Sequence, residues 1–235
     1  APRRDNDDDE RHPPTVHYSS ESVSSNCIGS QPVSGGDSCD WLTVAKCAGC
    51  GVEAVCLKIW ILQAYDQPNG QSDRSAVFAK YFANLGQKVT LFTNAYCNFR
   101  KFTVKEFRTN HSLDYIDDGY DVVWLRSIEY KNSVTRFLNM IENMLRILIA
   151  AKSIVDSPDV IIVPSVPPTT ALTGFILSRK YKCKVVYEVR DVWPAALIDS
   201  GVLSRRGIIS VIFRLIEKYA YKKSGLIVST LDNVR

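Results

Sequence analysis

From residue 58 onward, short apolar runs alternate with segments whose apolar residues recur every three or four positions. The run 58–62 (KIWIL) ends in a turn-rich loop, QAYDQPNGQSD, and predicts a strand. Over 75–85, Val77, Phe78, Tyr81, Phe82 and Leu85 recur at helical spacing, and Asn84 with Gly86 supplies a stop signal. KVTLFT (88–93) is β-branched and aromatic, so these three pieces read as one βαβ unit. The stretch 102–128 is less regular, with strands expected in FTVKEF and over 121–127. A long helix is predicted over 133–154, followed by a buried parallel strand over 158–165. A helix over 169–181, a strand over 183–189, a helix over 205–223 and a strand over 225–230 complete the series. Strands alternating with helices predict an α/β fold, a Rossmann-like parallel sheet with helices on both faces.

Before residue 58 the pattern fails. The opening APRRDNDDDERHPP is charge-dense and broken by prolines, and the Ser/Gly-rich stretch behind it holds no period of 2 or 3.6. Residues 1–57 are therefore expected to be a disordered or non-native N-terminal extension, and 58–235 to be the domain. Leu57 is expected as a non-standard start of that domain, with 1–56 read from upstream. Overall the chain is 46% hydrophobic and 23% charged with a net charge of +4, which conceals the seam. Residues 1–57 set four bases against nine acids, a net of −5, whereas 58–235 set 25 against 16, a net of +9. Five of the seven cysteines lie in the first part. Cys47 and Cys50 stand three apart, but no second ligand pair follows, so no metal site is expected. The acidic start and the lack of a 7–15-residue apolar run argue against a secretory leader. The more apolar stretch 41–56 falls far short of the roughly 20 residues of a membrane span.

In an open α/β sheet a site is expected beyond the carboxyl ends of the strands. Three loops occupy that edge. In the first, 63–73, Gly70 permits close backbone approach and the following helix start offers free N–H groups to a phosphate. An ordinary strand-to-helix turn accounts for it equally well, and a P-loop is excluded by the missing GxxxxGK[ST]. In the second, PSVPPTT (164–170), the prolines set a rigid turn and the hydroxyls either cap the helix or face a ligand. The third, EVRDVWP (188–194), places three charges and a Trp directly after a buried strand. Such charges are either a structural ion pair or a site with a carboxylate for acid–base work and a guanidinium for phosphate.

YEVRDVWP, with PDVIIVPSVPP upstream of it, resembles the N-terminal domain of family 4 glycosyltransferases, nearest the WbuB-like bacterial branch of O-antigen and capsule assembly. KIWILQAYDQP, the NGQSDR loop, NLGQKVTLFT, GYDVVWLRSIEYKNSVTRFLNM and AYKKSGLIVST extend the resemblance over most of 58–235. Two features depart from it: the first loop has one Gly where two or three are common, and Gln87 stands where a His usually follows the Gly. The resemblance implies the N-terminal half of a GT-B architecture, in which a C-terminal domain holds the nucleotide-sugar donor and the N-terminal one the acceptor. It implies neither metal nor cofactor. LDNVR (231–235) falls where the interdomain crossover would start, so the donor domain is expected outside this chain, and the chain is expected to be inactive without it.

Carried over residue by residue, the resemblance brings Asn69, Gly70, Gln71 and Ser72 to the donor diphosphate, with Arg74 beside them. It makes Ser165 and Thr169 face the cleft. Asp191 becomes the catalytic or acceptor-orienting carboxylate, with Glu188 and Arg190 next to it. No general base is assigned, and His111, in a variable stretch, reads as solvated. The expected partners are a nucleotide-sugar, a lipid-linked saccharide acceptor and an anionic membrane surface on the cytoplasmic side; nucleic acid is not among them. The basic segments 205–223 and 136–152 suit a membrane, although their apolar faces also suit core helices with snorkelling Lys and Arg. An alternative to the enzyme is a non-catalytic subunit that docks on membrane or acceptor and recruits a separate donor-binding chain.

Overall fold

The structure, a computed structural model, describes residues 44–46, 53–68, 74–97, 102–105, 107–116, 118–130 and 132–229. Within the segment expected to be unfolded, β1 (Val44–Lys46) pairs antiparallel with β2 (Glu53–Val55). The rest of 1–52, including Cys47 and Cys50, lies outside the described residues. From there the order is β3 (Lys58–Leu62), α1 (Arg74–Asn84), β4 (Lys88–Asn94), β5 (Tyr96–Cys97), β6 (Phe102–Thr103), β7 (His111–Ile116) and β8 (Tyr120–Leu125). It continues with α2 (Ser133–Ala150), β9 (Val160–Pro164), α3 (Pro168–Tyr181), β10 (Lys184–Val189), α4 (Ala195–Asp199), α5 (Ile208–Lys223) and β11 (Leu226–Ser229).

Seven strands form one sheet in the order β11-β10-β9-β3-β4-β8-β7. Six run parallel, and β7 joins β8 antiparallel at the edge. The expected parallel sheet is thus present, with one antiparallel strand added at its edge. β7 was missed because HSLDYI, at an edge, needs burial on only one face and reads as polar. FTVKEF, expected as a strand, contributes only the two residues of β6, in a small hairpin with β5.

The chain steps from β3 to β4 through α1, passes on to the edge strand β7, and turns back into β8, which lies between β7 and β4. From β8 it returns through α2 past β3 to β9, and α3 and α5 carry it outward in the opposite sense. Right-handed crossovers then put helices on opposite faces for the two directions. The two cores show this. Trp60, Leu62, Phe92, Leu125, Ile147 and Phe175 pack under α2 and α3, while Ile59, Ile61, Leu91, Ala76 and Ala79 pack under α1. β3 and β9 are neighbours whose onward connections diverge, so the crevice at their carboxyl ends is a topological switch point.

Local sequence explains the element ends. Asn132 caps α2 by a reciprocal pair: its Oδ1 accepts from the Thr135 N–H (2.8 Å) and its own N–H donates to Thr135 Oγ1 (3.1 Å). α2 stops at Ala150, four residues before the predicted end, and α5 begins at Ile208 rather than 205, after Gly207 at its N-cap. The short α4 was not foreseen. Gln87, the departure from the resembling family, receives the Leu57 N–H on its Oε1 (2.7 Å) and donates to the Leu85 carbonyl (3.0 Å). It ties the start of β3 to the end of α1.

Two positions show how closely α3 is held. A Cβ on Gly174 would collide with Val163 Cγ1 on β9. Gly174→Ala is therefore expected to lower unfolding free energy by about 1–3 kcal/mol, although the same change in a free helix stabilises by about 1 kcal/mol; urea denaturation decides the sign. At the other end, Lys182 caps α3 at φ 55°, the left-handed region, where its Cβ is crowded. Lys182→Gly is expected to raise stability by roughly 0.5–1 kcal/mol in the same assay.

Candidate functional site

Six side chains from three segments of the chain meet at the switch point. β3 ends in Gln63, Ala64 and Asp66, all buried, and α1 begins with Arg74 and Ser75. β10 ends in Glu188 and Val189 and runs directly into Arg190. Arg190 reaches across the edge of the sheet. Its Nη1 donates to Asp66 Oδ2 (2.6 Å), its Nη2 to Ser75 Oγ (3.1 Å) and its Nε to Glu188 Oε2 (3.0 Å). Asp66 Oδ2 also accepts from the Ser75 hydroxyl (3.0 Å) and from Gln63 Nε2 (3.2 Å), and its carbonyl accepts from Thr93 Oγ1. The second Glu188 oxygen, Oε1, lies 2.7 Å from Arg74 Nε.

Two guanidinium groups and two carboxylates thus neutralise one another at a place where isolated charges would be strongly disfavoured. Burial opposes the charge on Arg190, but the Asp66 and Glu188 carboxylates outweigh it and raise the arginine's pKa. Arg190 is committed on all three of its nitrogens, so it positions the loop and leaves no free fork for a phosphate. Arg74 differs. Its side chain is 37% exposed, engages Glu188 through Nε, and lies 5.3 Å above the Phe78 ring. No ion pair engages its outer nitrogens among the described residues.

Ser165, at the end of β9, is 2% exposed and organises the third loop. Its Oγ accepts from the N–H groups of Arg190 (3.0 Å) and Asp191 (3.2 Å) and donates to the Asp191 carbonyl (3.0 Å). The hydroxyl therefore works on backbone, holding Asp191 in place. The Asp191 side chain is exposed, and no ion pair to it occurs among the described residues. The peptides before Pro167 and Pro194, on either side of this loop cluster, are both cis. Thr169, on the first turn of α3, is 4% exposed, and its Oγ1 finds no partner among the described residues.

The predicted site residues Glu188, Arg190, Arg74 and Ser165 are therefore brought into one network, with Asp191 at its exposed margin and Thr169 beside it. Asn69, Gly70, Gln71 and Ser72 lie outside the described residues. Gln63, Asp66 and Ser75 were not singled out from sequence. The signal for Asp66 was present: a lone acid, four residues past an apolar strand, matching an arginine that follows another strand. His111, read as solvated, is half-buried on the edge strand β7, with Nε2 2.8 Å from Ser153 Oγ. Among the described residues no group of three His, Cys, Asp or Glu could hold a metal ion.

On one side of the network Tyr65, Tyr96, Tyr130 and Arg136 form an aromatic wall. Arg136 stands 6.0 Å from the Tyr65 ring centroid, and the rings of Tyr96 and Tyr130 are 6.2 Å apart. Burial pushes the Tyr130 hydroxyl up to about 12, and burial likewise raises Tyr65 against the opposing pull of Arg136. Both phenols therefore act as neutral hydrogen-bonding groups at neutral pH. Arg136 also lines an apolar cavity of about 120 Å³, together with Trp193, Phe137, Met140, Leu197 and Phe213.

No known family profile matches the chain, and no curated protein matches it. Among solved structures, CalG4, the calicheamicin glycosyltransferase, aligns with a TM-score of 0.45 at 14% identity, covering 76% of this chain and 47% of that one. The SurE protein from Aquifex aeolicus aligns with a TM-score of 0.31 at 9% identity, over 74% of this chain and 66% of that one. The FeoB G-domain from Methanococcus jannaschii gives 0.22 at 8% identity, over 74% and 85%. The chain thus spans about half the length of CalG4.

Proposed function

We propose that residues 58–235 are the acceptor-side domain of a glycosyltransferase of family 4 type. It would move a sugar from a nucleotide-sugar to a lipid-linked or polysaccharide acceptor in cell-surface polysaccharide synthesis, with the donor held by a second domain outside this chain. The observation that carries the reading is the Glu188–Arg190–Asp66 network at the switch point. It is built from the EVRD element on which the family resemblance rests, and it holds Asp191 at the mouth of the crevice.

In this reading Asp191 orients the acceptor hydroxyl and takes up its proton as the sugar's anomeric carbon is attacked. The bond to the nucleoside diphosphate breaks, and Arg74 lends its free edge to the departing negative charge. The loop containing Asn69 to Ser72 would approach the same diphosphate. The aromatic wall and the Trp193 cavity suit an acceptor with sugar rings and an apolar tail. α5 carries an exposed apolar stripe with bases around it, which favours attachment to an anionic membrane surface. The same stripe is what a non-catalytic docking subunit would need. No helix among the described residues is long and apolar enough to cross a membrane.

The test is transfer of radiolabelled sugar to membrane lipid, with and without a supplied donor domain. Incorporation that requires both parts supports the enzyme. Vesicle binding without incorporation in the reconstituted case supports the docking subunit and overturns the enzyme.

A further inference from the structure

A separate cavity of about 350 Å³ opens between α4 and α5. Its wall carries four charged side chains, Asp199, Arg205, Arg214 and Glu217, against the apolar surface of Pro194 and Ile198. Among the described residues none of the four forms a salt bridge with another. Arg214 Nη2 instead donates to the backbone carbonyl of Arg205 (2.9 Å), which holds the segment before α5 against the helix. Two cations and two anions thus line one opening without neutralising each other. Burial raises the Glu217 pKa, a shift that a cationic ligand beside it would reverse.

The outward face of the same helix supplies the second observation. Ile208, Val211, Ile212 and Leu215 stand at i, i+3, i+4 and i+7 and are 80%, 42%, 45% and 62% exposed. The face turned inward carries Ser210, Phe213 and Ala220. A single exposed Ile is ordinary; a four-residue stripe on a helix that already has a buried face marks a docking surface. Arg206, Arg214, Lys218, Lys222 and Lys223 surround it, so charge complementarity selects a lipid surface with phosphates at its level.

We propose that α5 lies along a bilayer and that the cavity beside it receives a phosphoethanolamine headgroup. Arg205 and Arg214 take the phosphate, and Asp199 and Glu217 take the ammonium. A glycerol headgroup offers no cation to the two carboxylates. Choline offers three methyl groups and no N–H donor, so it cannot return their hydrogen bonds. A cavity of this size holds one small headgroup. The proposal shares the membrane attachment of the reading above and is independent of sugar transfer.

The experiment is co-sedimentation of the full chain with vesicles at a constant fraction of phosphatidylglycerol, in which phosphatidylcholine is exchanged for phosphatidylethanolamine. Binding is expected to be about tenfold tighter with the ethanolamine lipid, equivalent to about 1.4 kcal/mol. Soluble phosphoethanolamine, but not phosphocholine, is expected to remove that preference. Glu217→Gln and Arg205→Met should each reduce the ratio to near one while keeping the binding to phosphatidylglycerol. Equal binding to both vesicle types, or a preference that survives both substitutions, overturns the headgroup site alone. Failure to bind any vesicle overturns it together with the membrane attachment, and leaves the sugar-transfer assay to decide the rest.

Discussion

Arg190→Met is expected to destabilise the domain by about 3–5 kcal/mol, because it removes the cation paired with the buried Asp66 carboxylate and one of the two paired with Glu188. Both side chains are nearly inaccessible, at 6% and 4%. Ser75 and Gln63, which also bond the Asp66 carboxylate, are neutral donors, and Arg74 is engaged with Glu188. Asp66→Asn alone is expected to be costly for the mirror reason, since it strips one of two countercharges from a half-buried guanidinium. The double variant Asp66→Asn/Arg190→Met should be less destabilised than the sum of the two, with a coupling of about 1–3 kcal/mol. Urea unfolding of the four proteins forms the cycle. Additivity within a few tenths of a kcal/mol would mean that the two residues do not form the contact described here.

Asp191→Asn should behave in the opposite way. Its carboxylate is exposed and makes no ion pair among the described residues, while its position is set by backbone bonds to Ser165 that asparagine retains. Stability is therefore expected to change by less than about 0.5 kcal/mol. In the reconstituted transfer assay kcat should fall by about 10²–10³-fold, with KM for the acceptor nearly unchanged. A loss confined to KM would make Asp191 a binding group, and undiminished transfer would remove it from the reaction. The pair of substitutions separates what Arg190 and Asp191 do although they are adjacent in the chain: one holds the edge of the sheet together, the other stands exposed beside it.

The alternation of strands and helices from residue 58 was legible because most elements satisfy their own periodicity, and the inner parallel strands, buried on both faces, read as apolar runs. KIWIL, KVTLFT, VIIVP and KVVYEV were all recognised on that basis. β7 was not, since an antiparallel edge strand carries a half-polar pattern and gains its order from Tyr120–Leu125 beside it. Boundaries were less well read than elements. α5 lost its predicted first turn to Gly207, and α2 lost its last residues to a turn.

At the site the division follows the same physics. Glu188 and Arg190 stood out in sequence because charges after a buried strand need an explanation, and two accounts of them remained open. The fold favours the structural account for these two by bringing Asp66, 124 residues before Arg190, within 2.6 Å of it. No local pattern encodes that pairing, because it depends on β3 and β10 ending on the same edge of one sheet, with β9 between them. The sequence by itself determined most of the strands and helices from residue 58 onward, and where along the chain the chemistry-bearing residues lie; local periodicity and turn chemistry suffice for those, though not for β7 or α4. Tertiary structure decided which of those residues neutralise each other and which remain free, because charge pairing acts through space across the switch point, and burial makes an unpaired partner there too unfavourable to leave.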